Sequence, residues 1–405
     1  MRKRVSPLLS RSANPNGKTA ERYGRYCVTE PVATEPSVIF SERAGTGGKK
    51  IAIATLNAEK ALNALSLEMV DLLSTRLDQW EADADIVAIL IDSVGDRAFS
   101  AGGDIRMLYE SMVEHGEDEN PYARDFFSRE YRLDYRLHNS RIPIITWGNG
   151  FVMGGGMGVY QGGDFRVVTE HSRLAMPEIS IGLFPDVGGT WFLNRTRDNT
   201  GLFLGLTGAQ LNATDALYVG LADTFAPHAG KAALLKRLAT LEWSADPSER
   251  HAQIAGALRW LLREFHDQLP VPQLEIHADW IATVTESATL ADASAAILAC
   301  ADDDKWLQRA VATHRRGCPV SIFLAWELNR RGRDLPLADA FRLELVAALN
   351  CSRYGVFREG VRAQIIDKDN APRFVPATLA ELTPAIQQQY LTPLWGDAPH
   401  PLADL

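Results

Sequence analysis

Two charge-free runs constrain this chain more than any other feature: Ile86–Ile91 and Ile142–Trp147. A short β-branched stretch without charge suits a strand covered on both faces, as in parallel sheets. Each run is followed by a glycine-bearing turn and a helical stretch: AFSAGGDI (98–105) leads towards Leu108 and Met112, and GNGFVMGGGMG (148–158) into a second probable helix. Phe165–Thr169 reads as a further strand. Strand, helix and strand at this spacing argue for an α/β layer rather than a sandwich. In such a layer the loops at the strands' carboxyl ends gather on one side, where ligand sites collect.

Earlier in the chain, Ser37–Phe40 and Ile51–Thr55 read as strands separated by a glycine turn at 45–48. Ser66 is placed to cap a helix with Leu67, Val70, Leu73, Leu77 and Trp80 on its apolar face. From about Ala209 the texture turns helical. Ala232–Leu241, His251–Phe265, Ala291–Lys305, Ser321–Arg330 and Leu337–Cys351 are all helix-like. Three regions are therefore expected: a flexible basic leader (1–34), an α/β core carrying the site (35–220) and a mostly helical carboxy-terminal region (221–405).

The leader's first twenty residues hold Arg2, Lys3, Arg4, Arg11 and Lys18 without an acid, which also fits organelle targeting. With 405 residues, 46% of them hydrophobic, the chain can bury a full core. A net charge of −9 excludes a general nucleic-acid footprint. No apolar run is long enough to span a membrane. Cys27, Cys300, Cys318 and Cys351 lie far apart with no metal-ligand spacing, and no His/Cys cluster offers a metal site. These features place the chain as a cytoplasmic protein, with the basic leader as the reason to keep an organelle open.

Neither glycine-rich turn has dinucleotide or phosphate-loop spacing. Glycine does let backbone amides converge on one ligand atom. If the Gly103 and Gly155 N–H groups converge they form an oxyanion hole, in which one donor is worth about 3–4 kcal/mol of barrier. Tight helix–strand packing would account for the same glycines. Two acids stand in apolar company in AMPEISIGLFPDVGG (175–189): Glu178 and Asp186. Burial would raise the pKa of Glu178 and suit it to acid–base work. Asp186, before Val187-Gly188-Gly189, also reads as a cap for the helix entering Trp191.

The combination AFSAGGDI, GNGFVMGGGMG and AMPEISIGLFPDVGGTWFL resembles the enoyl-CoA hydratase/isomerase (crotonase) superfamily, and within it the 3-hydroxyisobutyryl-CoA hydrolase family. LNAEKALNALS (56–66) fits that superfamily's early segment, and FREGVRAQIIDKDNAPRF (357–374) is similar to the hydrolase branch's carboxy-terminal signature. The resemblance implies a crotonase-like spiral of repeated ββα units with a helical carboxy-terminal region. It further implies a Gly103/Gly155 oxyanion hole for a coenzyme A thioester, and catalysis by Glu178 and Asp186.

Coenzyme A then enters as part of the substrate, with no prosthetic group, and Lys60, Ala101, Gly102, Asp104 and Arg106 are its candidate contacts. Lys60 and Arg106 equally suit ordinary solvated charges, as Ser100 and Glu110 do. Asp104 also suits a cap for the following helix. Hydrolysis of a short 3-hydroxyacyl-CoA in valine breakdown is the implied activity. Enoyl-CoA isomerase or hydratase is the rival, and a non-enzymatic acyl-CoA-binding protein a third reading. One departure favours hydrolysis. Hydratases place a second glutamate where this chain has Gly158. The resemblance leaves a homo-oligomer open: superfamily members often trimerise through their helical region, and the enlarged second half here is an alternative occupant of that contact.

Overall fold

The computed structural model describes residues 36–405, together with the backbone of two earlier strands, β1 (Val5–Ser10) and β2 (Arg22–Cys27). Those two pair antiparallel, Val5 opposite Cys27 and Ser10 opposite Arg22. The rest of the expected leader lies outside the described residues.

From Ser37 the chain builds two sheets. The larger holds six strands in the order β11-β9-β7-β5-β4-β3, the smaller three in the order β10-β8-β6. The antiparallel pair β3 (Val38–Ala44) and β4 (Lys50–Leu56) starts the large sheet. Helix α1 (Leu67–Ala82) follows. The Ser66 side chain accepts from the Met69 N–H at its start, and Met69, Val70, Leu73, Leu77 and Trp80 are buried as the periodicity predicts.

The chain then repeats one step. β5 (Ile86–Ser93) enters the large sheet, β6 (Ala98–Ser100) the small one, and helices α2 (Ile105–His115) and α3 (Pro121–His138) return it. β7 (Ile144–Gly148), β8 (Phe151–Met153) and α4 (Gly155–Gln161) repeat the step, and β9 (Phe165–Val168) with β10 (Arg173–Ala175) begins it again. Each step advances one place in both sheets, and all pairings after β4 are parallel. This is the crotonase-like α/β spiral. Its consequence is positional: the segments leaving β6, β8 and β10 emerge side by side from neighbouring parallel strands.

Helices α5 (Gly189–Phe192), α6 (Thr200–Thr207) and α7 (Ala213–Val219) precede the edge strand β11 (Thr224–Phe225), so the sheet ends slightly beyond residue 220. The remainder is helical: α8 (Lys231–Ala239), α9 (Pro247–Phe265), α10 (Ala278–Thr285), α11 (Leu290–Leu298), α12 (Lys305–Arg316), α13 (Pro319–Gly332), α14 (Leu337–Arg353), α15 (Val356–Val361) and α16 (Pro384–Tyr390). The single helix expected over Ala291–Lys305 is two. Asp304 ends the intervening loop and accepts the Trp306 and Leu307 amides, starting α12 afresh.

The charge-free strands have their explanation here. One face of the large sheet, with Ile51, Ala88, Leu90, Ile145 and Trp147, packs under Leu234, Leu238, Ile254, Leu258 and Leu261 of α8 and α9. The other face packs under α1 and the spiral helices. With both faces dry, a charge on either would be buried without a partner.

Candidate active site

The glycine loop after β6 is held against the segment before α1. Ala101 N–H donates to Leu62 O (3.0 Å), Leu65 N–H to Gly102 O (2.8 Å) and Asp104 N–H to Leu65 O (2.8 Å). Asn63 pins that segment in turn, donating to the Val94 and Ala98 carbonyls and accepting from the Ala58 amide. The glycines after β8 lie alongside. A β-carbon on Gly155 would come within 3.3 Å of the Gly103 nitrogen. Among the described residues, neither the Gly103 nor the Gly155 N–H donates to a protein acceptor. Two adjacent, unclaimed amides are what an oxyanion hole requires.

Both glycines line a cavity of ≈ 90 Å³, together with Ala101, Gly102, Glu130, Glu178 and Asp186. Glu178 sits on a single 3-10 turn (Glu178–Ser180) after β10, 3% exposed, and its Oε2 has no hydrogen-bond partner. Burial raises its carboxyl well above the usual range, and the neighbouring Asp186 adds to the rise. The backbone turns at Gly182 (φ 77°) and again at Val187 (φ 52°) and Gly188 (φ 87°). A β-branched residue at positive φ is strained, and here that conformation immediately follows Asp186.

Asp186, also 3% exposed, accepts the Tyr131 hydroxyl at 2.7 Å. Burial pushes its pKa up to about 7, against the opposing pull of that hydrogen bond. It is not the cap of α5. Glu344 of α14 takes that place: the Gly188 and Thr190 amides donate to its two oxygens at 2.8 and 2.7 Å. Burial pushes Glu344 to about 8. Asp104 does cap α2, accepting from the Arg106 amide at 3.3 Å. Lys60 and Arg106 are exposed, and neither lines the cavity. Among the described residues no group of three His, Cys, Asp or Glu is placed to hold a metal ion.

Helix α3, which no sequence motif singles out, adds further acids to this region. Asn120 caps it and Pro121 opens it. Its inner face carries Glu130, Tyr131 and Asp134 among Phe126, Phe127 and Leu137, all buried. Glu130 Oε1 and both Asp134 oxygens lack a partner. Burial, then the neighbouring acids, raises both carboxyls well above the usual range. A side chain at position 158 would meet Asp134 Oδ2 at 2.5 Å and the Val187 β-carbon at 2.7 Å. The glutamate that hydratases carry at this position therefore has no room, and an acid from α3 fills its place. The only sequence signal was the i, i+4 pair of acids inside an aromatic run, which by itself reads as a solvated face.

The carboxy-terminal signature also gains a physical role. A β-carbon on Gly360 would lie 2.1 Å from the Ile181 carbonyl, and one on Gly182 2.0 Å from Val356 O. Helix α15 thus presses directly on the backbone behind Glu178, and Phe357 lines the cavity. Arg362 stabilises the segment through Glu359, Asp367 and Asp369.

Residues 51–391 match the enoyl-CoA hydratase/isomerase family. The chain belongs to that family. Among curated relatives, the 3-hydroxyisobutyryl-CoA hydrolase, mitochondrial, of Gallus gallus is 34% identical over 88% of this chain and 89% of its own length. The human protein of the same name is 33% identical over 85% and 86%. Two solved structures share the fold at 32% identity. An enoyl-CoA hydratase from Rhodobacter sphaeroides has a TM-score of 0.74, covering 88% of this chain and 98% of its own. A carnitinyl-CoA dehydratase from Mycobacterium thermoresistibile has a TM-score of 0.75, covering 89% and 98%. The expectation of a cytoplasmic protein is corrected by these relatives, since the hydrolases of chicken, zebrafish, rat and human are all named mitochondrial. No described helix of this family member is long and apolar enough to cross a membrane.

The buried acids carry a stability consequence. Each raised carboxyl keeps, in the folded chain, a proton that the unfolded chain has released. Their contribution is full below about pH 4 and is lost as pH rises through the folded values, about 7 for Asp186 and about 8 for Glu344. The thermal midpoint is expected to fall from pH 6 to pH 9, and Glu344→Gln to make that fall shallower. Calorimetry at matched ionic strength reads both, and an unchanged slope in the variant would contradict the assignment.

Proposed function

We propose that this family member hydrolyses a short-chain 3-hydroxyacyl-CoA thioester, with 3-hydroxyisobutyryl-CoA as substrate, giving the free acid and CoA. The observation that carries the reading is the pairing of Glu178 and Asp186 opposite two unclaimed amides, with position 158 closed by Asp134. The thioester carbonyl oxygen is received by Gly103 and Gly155 N–H, which stabilise the negative charge that develops on it. Glu178, whose carboxylate form attracts a proton more strongly than an ordinary glutamate, draws one from water as oxygen bonds to the carbonyl carbon. The C–S bond then breaks and the thiolate takes that proton.

A route through a mixed anhydride on Glu178 uses the same groups in the same places. Asp186, oriented by Tyr131, positions the water and assists the leaving thiolate. Glu130, whose Oε1 would lie 2.3 Å from a β-carbon on Gly155, stands ready for the substrate hydroxyl. Asp104 shapes the hole by capping α2. Ala101 and Gly102 flank the thioester. Lys60, on the exposed 3-10 turn Glu59–Ala61, and Arg106, exposed in the first turn of α2, are the phosphate contacts in this reading.

Thiol release from 3-hydroxyisobutyryl-CoA, 3-hydroxypropionyl-CoA and crotonyl-CoA, followed together with the enoyl absorbance of the last, tests the proposal. Release from the two hydroxyacyl thioesters is expected. Consumption of crotonyl-CoA without thiol release would falsify it and favour the hydratase reading that the name of the Rhodobacter sphaeroides structure suggests.

A further inference from the structure

We propose that the Glu130–Asp134–His138 face of α3 conducts to solvent the proton that each hydrolysis liberates. The inference rests on the hydrolase reading. Water supplies two protons. One goes to the thiolate when the C–S bond breaks, and the other remains on the new carboxylic acid, which ionises, so one proton must leave the site per turnover. Among the described residues, no lysine, arginine or histidine lines the substrate cavity to receive it.

The three residues follow at i, i+4 and i+8 and so stack along one side of the helix. Helix α4 faces the first two with glycines. A β-carbon on Gly155 would lie 2.3 Å from Glu130 Oε1, and one on Gly158 2.5 Å from Asp134 Oδ2. The absence of side chains at 155 and 158 leaves room beside both carboxyls, on the way from the hole towards His138.

Asp134 is the decisive member. It is 2% exposed, and neither carboxylate oxygen has a hydrogen-bond partner in the protein. A buried acid kept only for packing gains nothing over an apolar residue of its size. Asp134 and His138 together line a second cavity of ≈ 20 Å³, bordered also by Gly158, Gln161 and Val187. That is room for about one water molecule in a space that both residues border. His138 is exposed on its other side, its ring edge-on to Trp191 at 4.8 Å. Glu130, Asp186 and Glu344 act electrostatically on Asp134, and Asp164, Arg166 and Arg195 on His138. The path therefore runs from the acids around the substrate, through Asp134 and a single water, to an imidazole in contact with solvent.

The test uses the full chain, 3-hydroxyisobutyryl-CoA and weakly buffered solution. His138→Ala removes an exposed ring. It is expected to lower kcat roughly tenfold with KM unchanged. Added imidazole is expected to restore kcat in proportion to its concentration, while the parent stays insensitive to buffer. Asp134→Asn is expected to lower kcat similarly but without rescue, because the small cavity admits no imidazole. An active parent whose His138→Ala variant keeps the parent kcat, or loses activity that imidazole does not restore, overturns the relay alone. A parent that releases no thiol overturns the hydrolase reading and the relay with it.

Discussion

Glu178→Gln is expected to reduce thiol release about 10²–10⁴-fold while leaving the chain at least as stable as the parent. The side chain keeps its size, so the packing around the 3-10 turn is undisturbed. What it loses is the ability to take a proton from water or to attack the carbonyl. Stability is not expected to fall, because Glu178 is buried beside Asp186, Oε2 has no partner, and both surroundings disfavour its charged form. An amide is free of that penalty. Steady-state kinetics and thermal melts of the same preparations separate the two effects. A variant that retains most of the parent's activity removes Glu178 from the chemistry, whereas one that melts well below the parent makes the residue structural.

Gly155→Ala is expected to lower kcat about 10²–10³-fold, the cost of one oxyanion donor, together with a stability loss of about 1–3 kcal/mol from overpacking. The new methyl would sit 3.3 Å from the Gly103 nitrogen, in the approach to the hole, and 2.3 Å from Glu130 Oε1. Glu130 is buried on α3, and its displaced carboxyl moves within the cavity it lines. One added carbon thus blocks the carbonyl and displaces a neighbouring acid. Thermal melts give the folded fraction at the assay temperature. If the rate falls only in proportion to that fraction, the hole reading fails, since a packing defect alone would do as much.

Several elements were legible because their signals are local. The charge-free strands, the Ser66 cap with its helical apolar face, and the Asp104 cap each depend on residues within a few positions of one another. The glycine turns and the acids Glu178 and Asp186 stood out because glycine runs and acids in apolar company are rare enough to notice. The break between α11 and α12 is hard to read because the alanine-rich stretch before it favours a helix, whereas residues 299–304 leave the helix and Asp304 caps the next one. The same local logic offers a cap as the alternative to a catalytic role for Asp186. The structure assigns that task to Glu344, more than 150 positions away.

By itself the sequence determined an α/β chain with two glycine turns, a pair of acids in apolar company and a helical second half, and through its motifs a family. The tertiary structure alone decided what those acids face. The ββα spiral sets the ends of β6, β8 and β10 side by side, which brings Gly103, Gly155 and Glu178 around one cavity. Helix α3 supplies the Tyr131 hydroxyl, 55 positions before Asp186, that orients it, and the Glu130 carboxyl that lines the same cavity, with Asp134 buried beside Gly158. Helix α15 supports the turn behind Glu178 through Gly360. The physical reason is common to all of these. Periodicity and capping reveal that a side chain is buried, whereas its partner, and hence its pKa and its chemistry, depends on contacts made across the whole length of the chain.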